Sequence, residues 1–455
     1  MTRPDIEGLS AHIDALRATH CIGRVVSVRN GVIRASGLGP TARIGDQIRV
    51  VRASGAPLRG EVVQLSEDET IIFAEASLEG VSLKDRVVLK DRFEIAPSDA
   101  WIGRVMDPFG HPMDGQPLLR GETARSLQNG PPDPATRRAF GPRMSTGMAV
   151  LNTLLPIVLG QRIGLFAGSG VGKSSLLGHL ARNMEADVVV IAMIGERGRE
   201  LRSFIDGVLG PQGMARSIIV AATSDQSPLA RRRCAWSAMS VAEHFRDQGR
   251  NVLLLADSIT RFAEAHREVA IAAGEAPVLR GFPASTAQMI MSLCERAGPG
   301  EGDQGDITAL FSVLVAGSDM EEPVADILRG VLDGHIVMDR AIAERGRYPA
   351  IDLVRSVSRS LPDAATEQEN ALISETRAML GLYDQFATMI KAGLYAEGSD
   401  ALLDQAVRLW PELDAFLAKS EPQGIADSFA KLGLILRRGR AASKATSEAP
   451  ANSTP

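Results

Sequence analysis

The sequence predicts an α/β protein in three parts: an N-terminal β-barrel, a central domain built on a parallel sheet, and a C-terminal helical domain. Three observations carry this. The apolar runs "RIGLFAG", "DVVVIAMIG", "SIIVAAT", "NVLLLAD" and "DITALFSVLVAG" alternate with helical stretches. Strands of a parallel sheet covered on both faces read this way. Between Cys21 and Phe93 the β-rich runs are shorter and are broken by Asn-Gly, Gly-Asp and Ser-Gly turns, the pattern of a small all-β unit. After Pro362 the spacing becomes helical, as in "ALISETRAMLGLYDQFATMIKAGL".

In chain order, residues 1–20 carry Ile6, Leu9, Ile13 and Leu16, the spacing of a short amphipathic helix that packs on its own domain or docks a partner. Residues 21–93 form the barrel, which has almost no aromatics and so no platform for stacking single-stranded bases. Residues 94–361 form the central domain, entered through the Pro/Gly-rich stretch at 128–142. Residues 362–440 form the helical domain, and 441–455, rich in Ala, Ser, Thr and Pro, read as a disordered tail.

At 455 residues the chain exceeds what one core can organise. A net charge of −5 argues against a dedicated nucleic-acid binder, which would carry a basic face. Cys21, Cys234 and Cys294 have no metal-ligand spacing, and so sparse a set suggests a reducing compartment. No apolar run approaches the ~20 residues that span a bilayer, and the charged start is no signal peptide. A cytoplasmic protein is expected, reaching a membrane only through a partner.

The most informative stretch is "LFAGSGVGKSSLLGHLARNM". An apolar strand runs into a glycine-rich turn and then a helix, the context of a phosphate-binding P-loop. Ala167 stands where the motif's first glycine falls. Gly168, Ser169, Gly170, Val171 and Gly172 form a loop whose N–H groups can curl around phosphate oxygens at a helix N-terminus. Lys173 supplies positive charge to the β- and γ-phosphates, and Ser174, followed by Ser175, a hydroxyl to Mg²⁺.

Two further strand ends carry acids. Asp257 closes "NVLLLAD", where ligands of open α/β sheets bind, and reads as a Mg²⁺ acid acting through water or as a helix cap. Glu196 closes "VVVIAMIGE" and reads equally as a carboxylate that polarises an attacking water or as a first-turn glutamate favouring a helix N-terminus. Arg197 beside it reads as a phosphate neutraliser or a solvated charge.

In order, "AGSGVGKSS", "GERGRE", "LLLADSITRFAEAHREVAIAAGEAP", "ERAG", "VADILRGVLDGHIVMDRAIAERGRYPAIDLVRSVSR" and "YAEGSDALLDQA" resemble the ATPases of bacterial flagellar protein export and type III secretion, relatives of rotary ATP synthase subunits. The likeness runs from about residue 21 to about 430 and is greatest to the flagellar export ATPases. It implies a RecA-like P-loop core and a homohexamer with ATP and Mg²⁺ bound between neighbours. By that resemblance Glu196 is the catalytic carboxylate, Arg197 lies by the γ-phosphate, Asp257 is the Walker-B acid and Tyr348 stacks on adenine. The resemblance also implies that Arg359 reaches into the neighbouring subunit's site.

The implied partners are a stator-like regulator at the N-terminus, a central stalk, chaperone–cargo complexes and a membrane export gate, at the inner-membrane face. "GFPAST" at 281–286 departs from the glycine-tyrosine-proline-proline-serine usual in the group. The rival readings are a virulence-type secretion ATPase, a catalytic subunit of a rotary proton-translocating synthase, a hexameric nucleic-acid translocase and a non-catalytic nucleotide-binding scaffold.

Overall fold

In the computed structural model, which describes residues 20–29, 31–53, 55–315 and 320–447, the chain begins with a closed barrel. Its strands are β1 (Ile22–Arg29), β2 (Val32–Ser36), β3 (Asp46–Val51), β4 (Leu58–Leu65), β5 (Thr70–Ala74) and β6 (Arg86–Arg92), in the order β1-β2-β5-β4-β3-β6. Period-two alternation puts Ile33, Ile48, Val50, Val62, Ile72 and Val87 inside, where all are buried. The helix expected within residues 1–20 falls on residues 1–19, which lie outside the described residues.

The barrel is tied to the central domain by a buried charge cluster. Glu61 of β4 accepts hydrogen bonds from Arg232 at 2.8 Å and Arg233 at 2.6 Å. The Arg233 guanidinium also covers the rings of Phe93 and Phe109.

The central sheet comprises β7 (Val105–Met106), β8 (Arg162–Ala167), β9 (Val188–Glu196), β10 (Ser217–Thr223), β11 (Val252–Asp257), β12 (Ile307–Leu314), β13 (Gly334–Met338) and β14 (Ile351–Ser358). Their order is β14-β13-β8-β12-β11-β9-β10-β7. All neighbours are parallel except β14, which runs antiparallel on the edge beside β13. On one face pack α2 (Pro228–Asp247), α3 (Ile259–Ala272), α4 (Ser285–Glu295) and α5 (Pro323–Val331).

On the other face lies α1 (Lys173–Asn183), together with the C-terminal helices α6 (Glu367–Lys391), α7 (Ala401–Leu417) and α8 (Ile425–Ser447). A Thr366/Glu369 capping box starts α6. Leu165 and Ile191 of the sheet share one apolar cluster with Leu409, Leu413, Leu432 and Leu436 of these helices. The helical region is therefore fused to the sheet through a common core, although the sequence reads as a separate domain there. α8 also continues to Ser447, past the boundary at 440 where a tail was expected. Among the described residues no helix is long and apolar enough to cross a membrane.

Candidate active site

The site forms where β8 ends. Ala167 is still a strand residue, opposite Leu314 and Met338, so the position does not need glycine. The chain then turns through Gly170 (φ 77°) and Gly172 (φ 88°), left-handed backbone that glycine adopts without steric cost. Val171 is buried and pins the loop to the core, whereas Ser169, Ser174 and Ser175 face outward. α1 starts at Lys173, directing its N-terminus at the opening.

In front of the loop is a cavity of about 700 Å³, lined by Gly168, Ser169, Gly170, Gly172, Lys173, Ser174 and Ser175, with Glu196 and Arg197 opposite. That is ample for a phosphate chain. Lys173 Nζ forms an ion pair with Asp257 Oδ1, and Ser312 Oγ donates to the same oxygen at 2.6 Å. Asp257 is 2% exposed and is joined to the cavity through Lys173, which lines it. The oxygen donors of Ser174 and Asp257 suit a hard cation such as Mg²⁺.

Glu196 is aimed by a register shift in β9. Between Ile194 and Glu196 the pairing with β10 slips at Gly195, whose φ is 70°. Burial pushes the Glu196 carboxyl up to about 7, the negative charge of Asp257 adds to this, and Lys173 opposes it. A carboxylate poised near neutrality suits proton transfer from water. Arg197 is exposed and pairs with Glu200 at 3.3 Å.

Tyr348 is on the other side of the loop. Its ring lies 3.2 Å from where a Cβ on Gly172 would be, so the glycine makes room for it. It borders a second cavity of about 520 Å³ with His179 and Arg182, and Gly170, Gly172 and Ser175 line both cavities. Arg347 fixes the tyrosine's position by donating to the carbonyls of Pro349 (3.1 Å) and Ile351 (2.8 Å), and its Nε lies 3.2 Å from Asp414 of α7.

Arg359, just beyond β14, lines neither cavity of its own chain. It is exposed, and its Nη2 donates to the Arg329 carbonyl at 3.1 Å. Sequence reasoning missed Ser312, and also Thr260 and Arg261, which line the cavity. Thr260 Oγ1 accepts from the Leu314 N–H at 2.9 Å. The only advance signal for Ser312 was a lone hydroxyl inside "ALFSVLV".

A largely parallel sheet, a P-loop and two strand-end acids define a P-loop nucleotide-binding protein. The ATP synthase alpha/beta family nucleotide-binding domain matches residues 147–358, and the T3SS EscN ATPase C-terminal domain matches 365–433. The flagellum-specific ATP synthase of Caulobacter vibrioides is 40% identical over 441 residues, 95% of this chain and 99% of that protein. That of Salmonella typhimurium is 40% identical over 443 residues, 94% and 97% of the two chains. The assembled ATPase EscN of the enteropathogenic E. coli type III secretion system superposes with a TM-score of 0.84 at 35% identity, covering 91% of this chain and all of that one. EscN in complex with its central stalk EscO gives 0.81 at 35% identity, with the same coverage. The chain belongs to the family of flagellar and type III export ATPases.

Proposed function

We propose that the protein is a Mg²⁺-dependent ATPase that works as a homohexamer and energises flagellar protein export. The observation that carries the reading is that Lys173 and Glu196 line one cavity, with the buried Asp257 paired to Lys173 and Tyr348 across the same loop. Lys173 and the loop N–H groups bind the β- and γ-phosphates, and Tyr348 packs on the base. Ser174 and, through water, Asp257 would hold Mg²⁺, whose charge neutralises the phosphates when bound. Glu196 orients the attacking water and takes its proton, while Arg197 stands beside the γ-phosphate.

Arg359 completes the site of the next subunit. Its exposure at the sheet edge, away from its own cavity, supports that assignment. The assembled state of EscN supports a ring of identical subunits, and its complex with EscO supports a central stalk partner. A stator-like regulator at the N-terminus, chaperone–cargo complexes and an export gate complete the proposed partners, with the protein in the cytoplasm at the inner-membrane face.

A virulence-type secretion ATPase is the second reading, favoured by the likeness to EscN. The flagellar names of relatives at 40–43% identity weigh against it. A Lys173→Ala strain decides: it should neither swim nor export flagellar subunits, and normal swimming would refute the proposal.

A further inference from the structure

Asp257 holds two donors on a single oxygen. Oδ1 accepts from Lys173 Nζ and from Ser312 Oγ. The donors differ in freedom. Lys173 ends in an ammonium on a flexible four-carbon stem, able to turn toward a phosphate. Ser312 is fully buried on β12, the neighbour of β11. The register pairs Ala256 with Phe311, so Asp257 and Ser312 follow at the same level of adjacent strands. Around Ser312 the strand is apolar, with Ala309, Leu310, Phe311 and Val313 all buried. A hydroxyl in such a run is unfavourable unless it is hydrogen-bonded, and its partner is the Asp257 carboxylate.

We propose that Ser312 is a positioning residue for the nucleotide site, holding Asp257 Oδ1 so that Lys173 can leave it for a phosphate. The proposal rests on the nucleotide reading above. With Lys173 on Asp257, the buried carboxylate has two donors. When the lysine swings to a phosphate, the hydroxyl stays and keeps the charge solvated and oriented. Without Ser312 the lysine's departure would strand a buried anion, so nucleotide binding would have to overcome that penalty.

The test compares Ser312→Ala and Ser312→Thr with the wild-type chain. Three readouts are needed: the Kd of a fluorescent ADP analogue in EDTA, the Mg²⁺ concentration giving half-maximal hydrolysis, and kcat at saturating metal. A hydrogen bond to a charged group is worth roughly 10- to 100-fold in an equilibrium constant. Ser312→Ala should therefore raise the metal-free Kd by about that factor. It should also raise the Mg²⁺ requirement, with a smaller fall in kcat. Ser312→Thr, which keeps the hydroxyl, should restore both binding values.

The idea is overturned if Ser312→Ala leaves metal-free binding and Mg²⁺ dependence unchanged, or if alanine and threonine depress kcat alike. Because ADP binding in EDTA needs no turnover, a wild-type protein that binds ADP but fails to hydrolyse ATP would sink the enzymatic reading and still score Ser312.

Discussion

Lys173 and Asp257 form an ion pair beneath the P-loop, with the lysine side chain 10% exposed and the aspartate 3%. Removing the lysine leaves the buried Asp257 charge without its cation and with only the Ser312 hydroxyl still on that oxygen. The loss is below the ~3–5 kcal/mol of a fully buried, wholly unpaired charge. Lys173→Ala should abolish turnover and also lower the thermal unfolding midpoint of the nucleotide-free protein. Adding Asp257→Asn should recover that midpoint while activity stays absent. A double variant no more stable than Lys173→Ala would show that the pair is not holding the apo site together.

Arg359→Ala should retain nucleotide binding and lose roughly 10³- to 10⁵-fold in rate, the usual worth of an arginine finger. A surface ion pair would be worth only ~0–1 kcal/mol. Mixing Arg359→Ala subunits with Glu196→Gln subunits should restore part of the activity. In such a ring some sites take an intact Glu196 from one chain and an intact Arg359 from the next. Two inactive variants that stay inactive when mixed would place the arginine outside the shared site.

The elevated Glu196 carboxyl sets a pH dependence. Its ionised form accepts the proton, so kcat/KM should rise with pH through an apparent pKa of about 7. kcat/KM reports the free enzyme, the state in which burial and Asp257 act on the group. Glu196→Gln should bind ATP normally and hydrolyse almost none. An acid limb near pH 4.5, the carboxyl's ordinary value, would show that the site leaves Glu196 unperturbed.

Tyr348 should behave as a stacking surface. Stacking a base on an aromatic ring is worth about 1–3 kcal/mol, so Tyr348→Ala should raise KM for ATP by roughly tenfold or more with little change in kcat. Tyr348→Phe should remain close to wild type. Equal damage from both variants would point to the hydroxyl instead.

Glu61 anchors the barrel. Glu61→Ala would leave Arg232 and Arg233 buried without their carboxylate. The cost is expected to approach ~3–5 kcal/mol. Limited proteolysis should then cut between barrel and sheet domain before the sheet domain itself is digested. Unchanged protection would mean that the arginines' contacts with Trp236, Phe93 and Phe109 suffice.

What the sequence revealed was local. The P-loop is contiguous, and its strand, glycine turn and helix follow one another, so Lys173 and Ser174 could be located by spacing. Glu196 and Asp257 were legible as strand ends, because in a parallel sheet those ends gather along one rim. Ser312 was not legible: it meets Asp257 from 55 residues away, and only strand order makes them neighbours. The Glu61 anchor spans 171 residues to Arg232 and was invisible for the same reason. The core that the helical region shares with the sheet was not legible either, because apolar periodicity shows which face is buried, not what covers it.

The continuous core beneath α1 and the C-terminal helices has a mechanical consequence. Close-packed interiors transmit displacement with little compression. No hinge of solvent separates Leu176 and Leu180, behind the P-loop, from Leu409 and Leu432. A shift of the loop on binding phosphate would therefore be passed to α7 and α8 through packed side chains rather than lost in solvent.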